Sequence, residues 1–389
     1  MREIANRIAG LKILIVYASF GEGHRQVAIA LKQSFSGLGA ANVVLLDLLA
    51  ESHPFLNEFS RFFYLKSYSL WPQVYGWMYD ATRSLKPNSL FFHWLHSFGA
   101  ATLRRLIDKE RPDAIIHTFP MMVLPLIAKR VRRPIPMYNV VTDFDLHMRW
   151  VHPMVEKYYV ATDDLRDALV QKGVPSARVA VTGIPLRPPS SGARAGACVA
   201  ERYGLNPSRP TVLVMAGAYG VLAGIRDLCR QLTSAGQAQI ALVCGRNRTL
   251  EANMRQEFGS ANGNVQVYGY VEQIDELMSL SSCIVTKPGG LTLSEALHAG
   301  LPIFLYRPMP GQERNNARYL AAKGAAVICR TPRELASSVT GLLGDPARRN
   351  AMRRAIGALR KERAADRIAL DIAQNLPIIR FNENSVNGT

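Results

Sequence analysis

The chain has 389 residues, 48% hydrophobic and 20% charged, a balance that supports buried cores and, at this length, two domains. Its 47 basic residues outnumber 30 acidic ones for a net charge of +17, which excludes an acidic solvating protein and points to an anionic partner: nucleic acid, an anionic membrane surface or a phosphate-bearing ligand. No run approaches the ~18 apolar residues of a membrane-spanning helix, and the N-terminal run ends in glycines without a signal-type cleavage pattern.

The first predicted element is a strand, Lys12 to Ser19, a continuous apolar run of the kind buried in a parallel sheet. A glycine turn, Gly21-Glu22-Gly23-His24, leads into a predicted helix from Arg25 to Phe35, and a second strand runs from Asn42 to Asp47. Residues 55–98 interrupt the pattern with 14 of the chain's 32 aromatics, interleaved with Arg61, Lys66, Arg83 and Lys86 and divided by prolines. Two readings stand: an ordinary core, or short amphipathic helices at a membrane interface, where Trp and Tyr beside Lys and Arg are at home. Strands then resume at 113–117, 135–141 and 157–160. The stretch 184–200, rich in Pro, Ser and Gly, reads as a linker.

A second alternating series follows, with strands at 210–215, 239–244, 264–268, 283–286 and 302–306. The tail from Arg348 to Asn375 is predicted as one basic helix. The pattern is α/β, two Rossmann-like halves facing across a crevice. The domains are placed at 1–186, a linker at 187–200, a second domain at 201–364, and a C-terminal helix and tail at 365–389 able to pack back on the first. Five scattered cysteines (Cys198, Cys229, Cys244, Cys283, Cys329) without a C-x-x-C pair read as buried thiols in a reducing compartment.

Two glycine loops carry the chemistry. Gly21 to His24 sits where a dinucleotide fingerprint would sit, with Asp47 at the end of strand two mimicking a ribose-binding acid, yet the third glycine is missing. An NAD-linked dehydrogenase is the reading this loop offers alone. A tight turn needing glycines is the plainer one. His24 at the crevice is a candidate general base, because a neutral imidazole takes a proton from an attacking alcohol. The second loop, Lys287-Pro-Gly289-Gly290-Leu-Thr292-Leu-Ser-Glu295, follows a strand and opens a helix, so its backbone N–H groups suit a diphosphate and Glu295 a ribose diol. Gln312, Glu313 and Asn316 then offer polar groups for a sugar.

These loops, with Val141-Thr-Asp143-Phe-Asp145-Leu-His147, Val151-His-Pro153, Val181-Thr-Gly-Ile-Pro185, Met215-Ala-Gly217-Ala218, Val243-Cys-Gly-Arg246 and Gly269-Tyr-Val271, resemble the GT-B glycosyltransferases of the lipid II synthase and galactolipid synthase group (GT28). In their order they are most similar to the bacterial processive diacylglycerol β-glucosyltransferases, from about Lys12 to Leu343. The resemblance implies a GT-B fold and inverting transfer of glucose from UDP-glucose to diacylglycerol, then onto the glucosyl product, for membrane glycolipids and the lipoteichoic acid anchor. UDP-galactose is the alternative donor.

On residues, the resemblance implies Glu295 on the uridine ribose and Gly289, Gly290 and Thr292 on the diphosphate. It puts Gln312, Glu313 and Asn316 on the donor sugar and phosphate, Arg246 and Val271 at the uracil, and Gly217 beneath the donor. His24 is the candidate base and Asp143 the next, for that role or for orienting it. No metal and no cofactor are expected, the donor being a substrate. Phe62, Phe63, Trp71, Trp77, Trp94 and Trp150 are the candidate acceptor and membrane contacts. The basic surplus divides evenly, 23 basic against 15 acidic residues in 1–190 and 24 against 15 in 191–389, so it forms no single nucleic-acid stripe. With no RRM, KH or zinc-finger pattern, the expected partners are diacylglycerol and an anionic phospholipid surface, not nucleic acid. That makes the expected location the cytoplasmic face of the membrane, held peripherally.

Overall fold

The computed structural model describes residues 8–19, 21–40, 42–55, 58, 72–83, 97, 99–131, 133–189, 196–259 and 264–376. Two six-stranded parallel sheets organise them. The first contains β1 (Lys12–Tyr17), β2 (Asn42–Asp47), β3 (Ala114–His117), β4 (Met137–Val140), β5 (Val155–Val160) and β6 (Val179–Val181), in the order β2-β1-β3-β4-β5-β6. The second contains β7 (Thr211–Met215), β8 (Gln239–Val243), β9 (Val265–Tyr268), β10 (Cys283–Thr286), β11 (Ile303–Tyr306) and β12 (Ala326–Cys329), in the order β12-β11-β10-β7-β8-β9. Strands such as β1, with Ile13, Leu14, Ile15 and Val16 all buried, carry apolar residues on both faces because helices cover both, which is why the sequence shows runs and not alternation.

Both sheets reverse strand order next to their first strand, β1 and β7. Helices that follow the strands at these reversals begin at the carboxyl ends, where α/β sheets open a crevice. The helices that shape this crevice are α1 (Glu22–Gly37), α2 (Pro72–Arg83), α3 (Gly290–Ala299) and α4 (Gln312–Ala322).

The structure differs from the sequence reading at one helix start, two short strands and the C-terminal tail. The first helix starts at Glu22, so Gly23 and His24 belong to its first turn and not to a loop. β6 and β12, of three and four residues, went unread as strands because such short apolar runs carry too little periodicity. The single basic tail helix is two, Pro346–Leu359 and α5 (Ala364–Asn375), broken where Arg360 turns extended and Arg363 takes φ 51. Along α5, Ala365, Ile368, Ala369 and Ile372 form a buried stripe at helical spacing. Asp366 accepts a 2.8 Å bond from Ser34 Oγ of α1, and Asp371 accepts from Tyr159 Oη at 2.6 Å and pairs with Lys157 at 2.8 Å. This half of the basic tail therefore lies against the first sheet's domain and not against lipid, while Arg353 and Arg354 of the preceding helix stay exposed.

Candidate active site

Between the two sheets lies a cleft of about 630 Å³. His24, Asp143, Gly217, Val271, Gly289, Gly290, Thr292, Glu295, Gln312 and Glu313 all line it, although they come from both halves of the chain. Trp150 lines it as well and is only 1% exposed. Its place is thus the cleft wall, and a bilayer cannot reach it: for Trp150 the membrane half of the expectation is wrong. Phe62, Phe63, Trp71 and Trp94 lie outside the described residues. Trp77, on α2, is 74% exposed, with Val74 one turn away also exposed.

Helix α3 begins with glycine at its N-cap and no side-chain cap, so the N–H groups of its first turn face the cleft with the positive end of the helix dipole behind them. Gly290 is required by proximity: a β-carbon there would lie 2.0 Å from the Thr142 carbonyl oxygen of the other half. Gly217 is required by its backbone, at φ +79; a β-carbon there would also sit 2.8 Å from Lys287 Cε, a side-chain end that can shift. Lys287, which the sequence reading left without a role, lines the cleft beside the α3 N-terminus. Burial lowers its pKa and the Glu313 carboxylate, 4.0 Å from Nζ, opposes that. A lysine at a strand's carboxyl end just before Pro-Gly-Gly was the signal available for it.

His24 Nδ1 lies 2.6 Å from the Thr118 carbonyl oxygen and 3.1 Å from Thr142 Oγ1. Because a carbonyl only accepts, Nδ1 carries the proton and Nε2 keeps its lone pair. Burial, offset in part by the Thr118 carbonyl and reinforced by Arg149, lowers the imidazole pKa to about 4, so His24 is neutral throughout the physiological range. Phe119 packs edge-on against its ring, 4.9 Å between centroids.

Asp143 is buried, and desolvation raises its pKa to about 6 against the pull of its hydrogen bonds from Gln312 and Asn316, with Asp145 adding to the rise. Those bonds change the assignment of two predicted donor ligands. Gln312 Nε2 donates to Asp143 Oδ1. Asn316, 0% exposed, donates to Pro288 O at 3.1 Å and Asp143 Oδ1 at 3.3 Å, and its Oδ1 accepts from Phe144 N at 3.0 Å. Asn316 is thus an inter-domain strut whose amide is taken up by protein in this arrangement. Arg246 likewise stands at the rim, its guanidinium 4.5 Å from the Tyr270 ring centroid and 3.1 Å from the Glu22 carboxylate across the cleft. In this arrangement it clasps the halves, while Val271 reaches the cleft itself. Burial raises the Glu295 pKa to about 7, against the pull of Arg187 and with a smaller push from Asp275.

Asp47, the acid the dehydrogenase reading needed, is occupied. It accepts from Ser19 Oγ and from Ala50 N, capping the short helix Leu48–Ser52. The plainer reading of that loop, a glycine turn into a helix, is what the structure contains. Among the described residues no group of three or more His, Cys, Asp or Glu side chains is placed to share a metal ion, and no helix is long and apolar enough to cross a membrane.

Comparison with known proteins agrees with this architecture. Residues 24–186 match the family model for monogalactosyldiacylglycerol (MGDG) synthase, and residues 211–368 that for the glycosyltransferase family 28 C-terminal domain. Among solved structures, Acinetobacter baumannii MurG (TM-score 0.59, 17% identity, covering 94% of this chain and 99% of that one) and the glycosyltransferase SnogD from Streptomyces nogalater (TM-score 0.60, 17% identity, covering 94% and 100%) share the fold, which is GT-B. Processive diacylglycerol beta-glucosyltransferases from Bacillus cytotoxicus (38% identical, 94% of each chain) and Bacillus subtilis (39% identical, 93% of this chain and 94% of that one) are similar over nearly the whole length. With the two halves, the cleft between them and this extended identity in agreement, the chain belongs to the GT-B glycosyltransferase family that includes these Bacillus diacylglycerol glucosyltransferases.

Proposed function

We propose that the protein is an inverting UDP-glucose:1,2-diacylglycerol β-glucosyltransferase that also extends its own glucosyl product. The observation that carries the reading is the meeting, in one cleft, of an uncapped helix N-terminus from one half and a neutral histidine with a bare Nε2 from the other. The first is suited to a departing diphosphate and the second to an attacking hydroxyl.

In this reaction the acceptor hydroxyl gives its proton to His24 Nε2 as its oxygen bonds to the anomeric carbon. The bond from that carbon to the diphosphate oxygen breaks, and UDP leaves with the electron pair. The α3 N–H groups, with Lys287 beside them, stabilise the charge that develops there, so no metal enters the proposed step. Glu295 takes the ribose hydroxyls, and Phe119, which packs on the His24 ring, gives with Trp150 an apolar lining of the cleft suited to the glycerol end of a lipid. The exposed Trp77 and Val74 on α2, together with the net charge of +17, support docking on an anionic bilayer.

Incubation of the purified chain with diacylglycerol liposomes and each UDP-sugar, with products separated by chromatography, tests the reading. Glucosyl- and then diglucosyl-diacylglycerol are expected. Galactosyl product alone supports the second reading, a galactolipid synthase, which the N-terminal match favours; no transfer from either sugar overturns both. His24→Ala is expected to lower kcat at least ~100-fold, and near-full turnover removes His24 as the base.

A further inference from the structure

The segment that follows β4 touches the opposite half of the molecule at four consecutive residues. The Thr142 carbonyl abuts Gly290 at the start of α3. Asp143 accepts from Gln312 and Asn316. Phe144 donates its N–H to Asn316 and stacks on Tyr319, 5.9 Å between centroids. Asp145 accepts from Asn315 Nδ2 at 2.9 Å. The residue whose carbonyl meets α3 is the same one whose hydroxyl lies 3.1 Å from His24 Nδ1, and it is buried.

From this juxtaposition we infer that Thr142 is a positioning residue that couples seating of the donor half to the orientation and basicity of His24. The inference rests on His24 being the base in the proposed reaction. The Nδ1 proton is shared between two acceptors of different origin: the Thr118 carbonyl, fixed at the end of β3 in the first sheet, and the Thr142 hydroxyl, on a segment held by α3 and α4. An acceptor on Nδ1–H favours the imidazolium that forms as Nε2 takes a proton, so each acceptor raises the ring's basicity. When the halves separate, segment 142–145 loses its partners, the second acceptor is no longer fixed, and the base weakens. Proton abstraction is thereby strongest when the donor half is in place.

Of the charged groups, Arg149 acts on the ring and lowers its pKa; Glu22 from its own helix and Asp143, His147, Lys287 and Glu313 from the other walls share the cleft with it. None of these makes a hydrogen bond to Nδ1, so removing the Thr142 hydroxyl isolates one interaction.

The test is a titration of His24 in the full chain by 15N NMR of labelled histidine, with His24→Ala identifying the signal, beside pH profiles of turnover. In Thr142→Val the His24 pKa and the acidic limb of kcat are expected to move down together by about half a unit, with kcat falling about 5-fold and donor KM within 2-fold. Thr142→Ser restores both. Asn316→Ala, which touches segment 142–145 but not His24, is expected to shift the His24 titration in the same direction, and its combination with Thr142→Val to be less than additive. An unchanged His24 titration in Thr142→Val overturns the positioning role; additive effects of the two substitutions overturn the coupling. The titration is read without turnover, so failure of glucosyl transfer to diacylglycerol refutes the proposed reaction and leaves this result separately decided.

Discussion

At the scale of single residues, the cleft separates its titratable groups by environment. His24 is held neutral with its lone pair on Nε2, while Asp143 and Glu295 are both pushed up, to about 6 and about 7. For Asp143 the raised pKa has a definite sign for stability. A carboxyl whose pKa rises from 3.8 to about 6 on burial stabilises the folded form fully below the lower value and loses that contribution as pH rises through the upper one, about 3 kcal/mol in all. Asp143→Asn keeps the acceptor oxygen that Gln312 and Asn316 use and removes the charge. It is expected to raise Tm at pH 7.5 by several degrees and to flatten the dependence of Tm on pH between about 4 and about 6. Equal melting of variant and parent at both ends of that window would refute the assignment. Glu295→Ala is expected to raise the donor KM at least 10-fold while changing kcat less, since a ribose contact binds ground and transition states alike; a pure kcat effect would place Glu295 elsewhere in the reaction.

At the scale of elements, α4 is the decisive piece. Gln312, Asn315, Asn316 and Tyr319, with Lys323 just past the helix end, recur at helical spacing on one face and all reach the first domain: Tyr319 donates to Asp164 at 2.6 Å, and Lys323 pairs with it at 2.9 Å. A polar stripe of this kind looks, in sequence, like a set of ligand contacts, because sugars and neighbouring domains are recognised by the same amides and hydroxyls. Only Gln312 and Glu313, at the first turn, remain on the cleft. Helix α3 shows the converse. In sequence its glycines suggest a phosphate cradle, and the structure adds a constraint on Gly290 from the Thr142 carbonyl. Gly290→Ala is therefore expected to abolish most turnover, about 100-fold or more, because the β-carbon meets backbone and not a movable side chain. Gly289→Ala, with open space at the β-carbon, is expected to be far milder. Matched effects at the two positions would contradict this difference, and UDP protection in a thermal-shift assay would locate the loss.

At the scale of the whole molecule, the halves are joined by ion pairs at several points around the cleft. Arg246 with Glu22, Arg314 with Asp80, Lys323 with Asp164 and Lys361 with Asp163 each cross between them. Most are partly exposed and individually weak, so closure rests on the buried contacts around Asn316 and Phe144 more than on these charges. The remaining basic surplus is available to an anionic surface. Binding to vesicles containing anionic lipid is expected to weaken by at least 10-fold between about 50 and about 300 mM salt, and Trp77→Ser to weaken it further at either salt. Salt-independent binding, or none, would remove the electrostatic docking from the proposed function.

The sequence alone determined the two parallel α/β halves, the glycine loops and the family, because buried parallel strands and helix starts are local patterns that chain order preserves. His24, Glu295 and the α3 loop could be placed at the cleft for the same reason: each lies on a helix that follows a strand end and a glycine turn, which can be read without knowing its neighbours. What the tertiary structure decided was which polar residues remain available. Asn316 and Arg246 proved to be occupied across the domain boundary, Trp150 proved to be cleft wall, Asp47 was already capping a helix, and Thr142 was brought to His24 from 118 residues away. Such assignments depend on distances between segments that no local pattern encodes. A hydrogen-bonding group's role is set by the partner that reaches it first, and across a cleft that partner comes from the other half of the chain.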